Sequence, residues 1–534
     1  MKIEREEFER ERNYLNKTVS LIRKKISKLG QELFDDDSKA LEFKKLIWDT
    51  HTEMDPNEMR SMMAESDLQV SIMQSKGNYL QRLFRIQNKP YFGSIRFKEE
   101  GSEEEDNIYI GITHVEDKLD YYVHDWRSPI CSMFYDYETG PASYKAPSGI
   151  IKGNIIKKRQ YIIEDAELKH IFDNDLNISD SLLQEVLAEE SSDKMKNIVN
   201  TIQEEQNKVI RNTEDKNLIV EGIAGSGKTS VALHRIAFLL YRIPNLTSSN
   251  VVVFTPNKVF SEYISNVLPE LGEDNTYDMT FYDLLCQNIN EYKDKVNDKY
   301  LYYEDACIFL YIKSLLVGFN TNHVIKEIVI DEAQDYNKLQ YLIIKKTFKT
   351  SNYTILGDTN QTINPYYKYD SLEELTSIFE SSKYITLTKT YRSTGKIIDY
   401  TNKILGLNHV TAIRNDKASD IIFRNNITKN DFLADINNLK TISKSIAIIT
   451  KNDKEAEKVY NMLKDDLDIM LIDGFGHIKR DLVVVPSYVA KGLEFDSVII
   501  YTDEDNKYQE KDKYLFYVAC TRAQHNLIIY NNSK

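Results

Sequence analysis

The sequence predicts an α/β protein: two parallel-sheet units preceded by a helical hairpin and a small β-rich element. Three observations carry that reading. Short apolar runs alternate with helical patterns from about residue 191 onward, apolar residues recur three and four apart in the first 88 residues, and strict alternation replaces that spacing from about 89 to 165. At 534 residues the chain is also too long for one ordinary core, so several domains are expected.

Residues 1–88 read as an antiparallel arm. Leu15, Val19, Ile22, Ile26 and Leu29 form a seam with Lys and Arg between them, as in a hairpin or coiled coil. Gly30 is expected to end this helix, leaving Glu32, Asp35, Asp36 and Asp37 as an acidic tip. A second helix is expected over about 57–87, with Met59, Met62, Met63, Ile72, Met73, Leu80, Leu83 and Phe84 on a looser stripe and Pro90 beyond its end.

Residues 89–190 hold the β-rich element, expected to pack on the units that follow. Asn107-Ile-Tyr-Ile-Gly-Ile-Thr-His114 and Ile150-Ile-Lys-Gly-Asn-Ile-Ile156 read as antiparallel strands. Asp125-Trp-Arg-Ser-Pro129 and Gly140-Pro-Ala-Ser-Tyr144 are distinctive strings whose residue types point to no chemistry.

Eight buried-strand signals then follow: Leu218–Val220, Val251–Phe254, Ile328–Ile330, Thr354–Leu356, Ile446–Thr450, Leu482–Val485, Val498–Tyr501 and Leu527–Tyr530. Runs apolar on both faces imply parallel sheets covered by helices on each side. They divide near residue 380 into one unit at 191–380 and another at 381–534.

Composition narrows the class. No run approaches the eighteen or so apolar residues that span a bilayer, and the Met-Lys-Ile-Glu-Arg-Glu-Glu start lacks the apolar stretch of a secretion signal, so a cytoplasmic protein is expected. Cys131, Cys286, Cys307 and Cys520 are scattered without a Cys-x-x-Cys pair, against a zinc or disulfide framework. A net charge of −14 lowers the expectation of tight, sequence-independent DNA binding.

The chemistry is concentrated in two strings. Gly222-Ile-Ala224-Gly225-Ser226-Gly227-Lys228-Thr229 has P-loop spacing, follows a strand and opens a helix. Backbone N–H groups of such a turn wrap phosphate oxygens, with Lys228 on the β- and γ-phosphates of ATP and Thr229 on Mg²⁺. Ile328-Val-Ile-Asp331-Glu332-Ala-Gln-Asp335 puts carboxylates at a strand's carboxyl end, where open α/β sheets bind ligands. Asp331 is the expected second Mg²⁺ ligand and Glu332 the group that orients or deprotonates the attacking water.

With these strings in place, the motif order resembles superfamily 1 helicases of the UvrD/Rep type, whose fold implies two RecA-like P-loop NTPase motor domains. Gln206 matches the adenine-reading glutamine upstream of the P-loop. Gln361 of Gly357-Asp-Thr-Asn-Gln361 matches the glutamine that couples the γ-phosphate to movement. Tyr391 and Arg392 match the adenine-stacking tyrosine and first γ-phosphate arginine. Glu494 of Lys491-Gly-Leu-Glu494 matches the ribose contact, and Arg522 of Tyr517-Val-Ala-Cys-Thr-Arg522 matches the second arginine finger. Two guanidinium groups carried by the second domain stabilise charge only when the cleft is closed.

A narrower resemblance, to the HelD branch, rests on the arm together with Pro90-Tyr-Phe-Gly93, His124-Asp-Trp-Arg-Ser-Pro129, Gly140-Pro-Ala-Ser-Tyr144, Lys194-Met-Lys-Asn-Ile-Val-Asn-Thr-Ile-Gln203 and Ala232-Leu-His-Arg-Ile-Ala237. It implies an ATPase that remodels or recycles bacterial RNA polymerase core, with the arm entering the secondary channel. The chain departs from that pattern in two places. About fifty residues separate Phe281 from Asp331, too few for the clamp-like arm of the branch or an accessory domain, and the stretch from Arg392 to Lys491 is short as well. After Gln361, Thr-Ile-Asn-Pro365-Tyr366-Tyr367 replaces the aromatic string with which UvrD-type enzymes stack single-stranded DNA, and base stacking contributes about 1–3 kcal/mol per base. The expectation is therefore a minimal motor, acting as a monomer, whose stroke moves a protein partner. A 3′–5′ single-stranded DNA translocase or helicase is the alternative.

Overall fold

The computed structural model describes residues 5–50, 55–173, 204–255, 267–269, 271, 273–289, 303–318, 321–363, 367–390, 393–407, 411–412, 420–425, 428–472, 480–503 and 506–531. They form two compact units, one holding the described residues through Asp173 and the other those from Glu205 on.

In the first unit, α1 (Arg5–Thr50) and α2 (Pro56–Ile86) make the expected hairpin. Leu83 and Ile86 pack with Leu15, Val19 and Ile22, while Ile26 and Leu29 are partly buried along the same seam. The expected break at Gly30 is corrected: α1 runs through it for another twenty residues. A helix-interior glycine costs only about 1 kcal/mol, and cross-hairpin contacts offset it. Lys76 of α2 donates to Asp36 at 2.7 Å and stands 3.6 Å from Glu32. Asp35, Asp36 and Asp37 therefore belong to a helix shaft and form no tip. Along α2 the looser stripe is interrupted, since Met63, Ile72 and Phe84 are exposed.

The β-rich element is a seven-stranded sheet of β1 (Gly93–Glu99), β2 (Asp106–Gly111), β3 (Val115–Asp117), β4 (Asp120–Asp125), β5 (Gly140–Ala146), β6 (Gly149–Glu164) and β7 (Glu167–Asp173), with the short α3 (Ser132–Asp136) before β5. Its order is β3-β4-β2-β1-β6-β5, with β7 also on β6. All pairings are antiparallel except β2 with β4, which is parallel and departs from the expected pattern. The hairpin's base is buried against this sheet among Tyr91, Tyr109, Val123 and Tyr161. There Glu11 accepts hydrogen bonds from Tyr109 Oη (3.0 Å), Tyr161 Oη (3.2 Å) and Arg159 Nη1 (2.9 Å), so its buried charge is fully engaged. The Asp125-Trp-Arg string is structural: Arg127 donates to both carboxylate oxygens of Asp125 and all three residues are buried.

The helix α4 (Glu204–Ile210) leads into the second unit, which takes it up from Glu205. The unit continues through β8 (Asn217–Gly222), α5 (Lys228–Arg242), β9 (Val251–Phe254), β10 (Tyr277–Met279), α6 (Phe281–Ile289), α7 (Tyr303–Leu316), β11 (Glu327–Ile330), α8 (Lys338–Thr347), β12 (Asn352–Gly357) and β13 (Ser382–Leu387). These strands form a parallel sheet in the order β10-β9-β11-β12-β8-β13. Because β13 pairs with β8 over Ser382–Leu387, this sheet ends later than the boundary expected at residue 380.

Next come β14 (Lys389–Thr390), α9 (Gly395–Leu405), β15 (Thr411–Ala412), β16 (Ile422–Asn425), α10 (Lys429–Lys440), β17 (Ile446–Thr450), α11 (Asp453–Leu463), β18 (Met470–Leu471), β19 (Leu482–Pro486), β20 (Phe495–Thr502), α12 (Lys513–Cys520) and β21 (Ala523–Asn531). The second sheet, β16-β21-β20-β17-β19-β18, is also parallel throughout. Ile397 of α9 and Ala519 of α12 cover one face, and Phe432 and Ile436 of α10 with Val459 of α11 cover the other. Burial on both faces explains why β17 and β19 are apolar at nearly every position, and β20 over Val498–Tyr501. All eight expected strands are present. Among the described residues no helix is long and apolar enough to cross a membrane.

Candidate nucleotide site

The P-loop leaves β8 at Gly222 and enters α5 at Lys228. Gly225 and Gly227 take φ values of +74° and +78°, a region that side chains disfavour. A Cβ at Gly227 would also lie 2.9 Å from Gln206 Nε2, adding crowding to a φ that already favours glycine. Gln206, on α4, donates from Nε2 to the Ser226 carbonyl at 2.8 Å. Ala224 and Ser226 are buried within the turn.

Lys228 is buried, and its Nζ donates to the carbonyls of Gly222 (2.9 Å) and Ile223 (3.1 Å) while lying 3.9 Å from Asp358 Oδ2. Thr229 Oγ1 donates to Asp331 Oδ2 at 2.6 Å, which joins the two residues expected to hold one cation. Burial, reinforced by the neighbouring charge of Glu332, pushes the Asp331 carboxyl up. Glu332 goes the other way. Burial raises it, but Lys491, Lys228, Arg522 and a 2.7 Å bond from Gln334 Nε2 outweigh that and hold it below the usual carboxylate range. Its backbone is left-handed (φ +52°), a strained geometry for a residue with a side chain.

The second sheet supplies cations to the same place. Arg522, between α12 and β21, is buried and donates from Nη2 to Gln361 Oε1 at 2.6 Å. Gln361 Nε2 in turn donates to Asp358 Oδ2 at 2.7 Å. A hydrogen-bonded line thus runs from Arg522 through Gln361 to Asp358, which faces Lys228. Glu494 stands apart from this line, accepting from Gln524 Nε2 at 3.0 Å. Tyr391, Arg392 and Tyr366 lie outside the described residues, as does Lys194–Gln203.

Lys491, Asp335 and Asp358 stand inside motif strings of the sequence, but no role could be read for them there. Lys491 Nζ is 2.7 Å from Asp335 Oδ2, 2.8 Å from the Gln361 carbonyl and 3.5 Å from Glu332 Oε2. The available signal for all three was their place in the strings Lys491-Gly-Leu-Glu494, Asp331–Asp335 and Gly357–Gln361. Tyr367, in the string that stands where UvrD-type enzymes carry their stacking aromatics, packs edge-on against buried Tyr369 with ring centroids 4.8 Å apart.

The donor set fits a polyphosphate with a divalent cation. Ser226 Oγ is buried and has no hydrogen-bond partner among the described residues, the start of α5 presents backbone N–H groups, and the Thr229–Asp331 pair offers hard oxygen ligands.

Comparison with known proteins agrees with this geometry. The family of the DNA helicase IV HelD N-terminal domain matches residues 8–192, and that of the viral superfamily 1 RNA helicase core domain matches residues 218–531. A putative ATP-dependent DNA helicase of Acanthamoeba polyphaga mimivirus is 25% identical over 381 residues, covering 61% of this chain and 53% of the relative. The ATP-dependent DNA helicase Rep of Buchnera aphidicola (subsp. Schizaphis graminum) is 27% identical over 182 residues, covering 32% of this chain and 25% of the relative. The solved C-terminal domain of a possible DNA helicase from Lactobacillus plantarum is 30% identical, covering 27% of this chain and 87% of that domain, with a TM-score of 0.22. The chain thus spans about half the length of the mimivirus relative and less of the Rep protein.

Proposed function

We propose that this chain, which belongs to the superfamily 1 helicase core family and carries a HelD-type amino-terminal domain, hydrolyses ATP with magnesium and uses the resulting motion to remodel or recycle bacterial RNA polymerase. The observation that carries the ATPase reading is the line Arg522–Gln361–Asp358–Lys228, which ties a cation of the second sheet to the phosphate loop of the first.

Bound ATP supplies the phosphoryl group, and magnesium neutralises part of its charge. The P-loop N–H groups and Lys228 would hold the phosphates, Thr229 and Asp331 the cation, Gln206 the adenine and Glu494 the ribose. Glu332, kept ionised by its cationic surroundings, would orient the attacking water and take its proton at the carboxylate. Arg522 would stabilise charge developing on the transferred group, and Gln361 would report that charge to the second half. In this reading Tyr391 stacks on the base and Arg392 is the other arginine finger.

The polymerase part rests on the HelD-type match over residues 8–192, supported by the commitment of Tyr367 to packing, which removes one candidate base-stacking platform. Single-stranded DNA is the alternative partner, favoured by the likeness to Rep. ATP turnover measured alone, with single-stranded DNA and with core polymerase separates the two. Stimulation by polymerase, with direct binding, is the expected result. Strong stimulation by DNA with no polymerase binding overturns the polymerase reading and supports a translocase.

A further inference from the structure

We infer that Lys491 is a positioning residue: its ammonium clasps the second half of the motor onto the Asp331–Asp335 segment of the first and thereby sets the register in which the site is assembled. The inference rests on the ATPase reading above. Lys491 is only 2% exposed, and it follows β19 on a tightly bonded turn in which Ala490 N–H donates to the Pro486 carbonyl (2.9 Å) and Leu493 N–H to the Ala490 carbonyl (3.0 Å). From that turn Nζ crosses to the first half and donates to the Asp335 carboxylate and the Gln361 carbonyl, 2.7 and 2.8 Å away.

Two features make this more than an incidental ion pair. Gln361 is held twice by the second half, at its carbonyl by Lys491 and at its side-chain oxygen by Arg522. A shift of one half against the other would therefore break both contacts together. The ammonium is also dry: the Lys491 side chain is 2% exposed, against 19% for that of Asp335. A buried ammonium is tolerated only when paired, so any other register leaves it uncompensated. Exposed pairs exert no such control, because water screens them. Lys491 also stands 3.5 Å from Glu332, so the register that satisfies Asp335 brings a cation to the expected base. Glu494 lies three residues beyond on the same turn, and the clasp would place that ribose contact as well.

The test uses the full chain and the variants Lys491→Met, Asp335→Asn, their combination, and Lys491→Arg, with thermal unfolding as a control for folding. Breaking the hydrogen-bonded pair of the buried Lys491 ammonium is expected to lower kcat about 10- to 100-fold, while affinity for fluorescent ADP, held by the P-loop, stays within about threefold. The double variant should be no worse than the poorer single one, since both remove one interaction. Lys491→Arg should recover part of the loss. If Lys491→Met does not fold, Asp335→Asn keeps the side-chain volume and reads the same pair from the other side. Single variants with wild-type kcat, or a double variant whose loss is the product of the two, overturn the clasp while leaving the ATPase reading intact. A wild-type chain without ATP turnover overturns that reading and the clasp with it.

Discussion

Replacing Gln361 with alanine probes the connection between the two halves of the site at its centre. The substitution removes two hydrogen bonds to charged groups, the 2.6 Å bond from Arg522 Nη2 and the 2.7 Å bond to Asp358 Oδ2. Each such bond contributes about 1.5–3 kcal/mol, and the pair roughly 3–6 kcal/mol if nothing replaces them. Part of that is recovered. Arg522 keeps its bonds to the carbonyls of Val518 (3.1 Å) and Leu493 (3.3 Å), and water can enter the space left by the amide. A net loss of about 2–3 kcal/mol in assembling the reactive arrangement corresponds to a fall in kcat of roughly 30- to 150-fold. The KM for ATP should change by no more than about threefold, because the P-loop, Gln206 and Thr229 are untouched. Phosphate release at saturating ATP and magnesium measures both quantities, with thermal unfolding to show that the chain is folded. A folded Gln361→Ala protein that keeps kcat within about threefold of wild type would falsify the proposed coupling.

Three further outcomes are expected. Glu11→Ala strips a buried partner from Arg159, Tyr109 and Tyr161 and should destabilise the first unit by about 3–5 kcal/mol; urea unfolding that leaves this unit unchanged refutes the role given to Glu11. Glu7 and Asp173 have carboxyls that burial raises but that Arg159 and Lys157 pull below their ordinary values of 4.5 and 3.8. Their folded pKa values are depressed, so their contribution is present above those ordinary values and is lost as pH falls through the folded ones. The protection of amides in Gly149–Glu164, taken relative to their intrinsic exchange rates, should therefore fall more between about pH 5 and 3 in wild type than in Arg159→Met, and an equal fall contradicts this. Removing residues 37–75 and joining Asp36 to Lys76 through a short glycine turn, which their 2.7 Å contact permits, should weaken polymerase binding at least tenfold while basal ATP turnover persists. Undiminished binding counts against the arm. Excising all of residues 1–88 is a poorer experiment, because Leu15, Val19, Ile22 and Leu83 belong to the core beneath the sheet.

The parallel sheets were legible because burial on both faces leaves continuous apolar runs, as in Ile446–Thr450 and Leu482–Val485. β13 was not. Ser382-Lys-Tyr-Ile-Thr-Leu387 is an edge strand with mixed exposure, so its composition resembles a loop and the expected boundary fell too early. Gly30 misled for the opposite reason: a local helix-breaking signal was outweighed by contacts between residues forty apart in sequence. The P-loop and the Asp331–Glu332 string announced themselves through local spacing. The clasp could not, since Lys491 and Asp335 are 156 residues apart and neither stands in a pattern that names the other.

The central claim is that one ATP-hydrolysing site is built from both halves of the second unit. ATP turnover by wild type, Lys228→Ala and Arg522→Ala, measured side by side with magnesium present, tests it most directly. Wild type should hydrolyse ATP and both variants should lose at least about 100-fold in kcat, although each alters a different sheet unit. Lys228→Ala retaining turnover would contradict the assignment of the site, and Arg522→Ala retaining it would contradict the sharing.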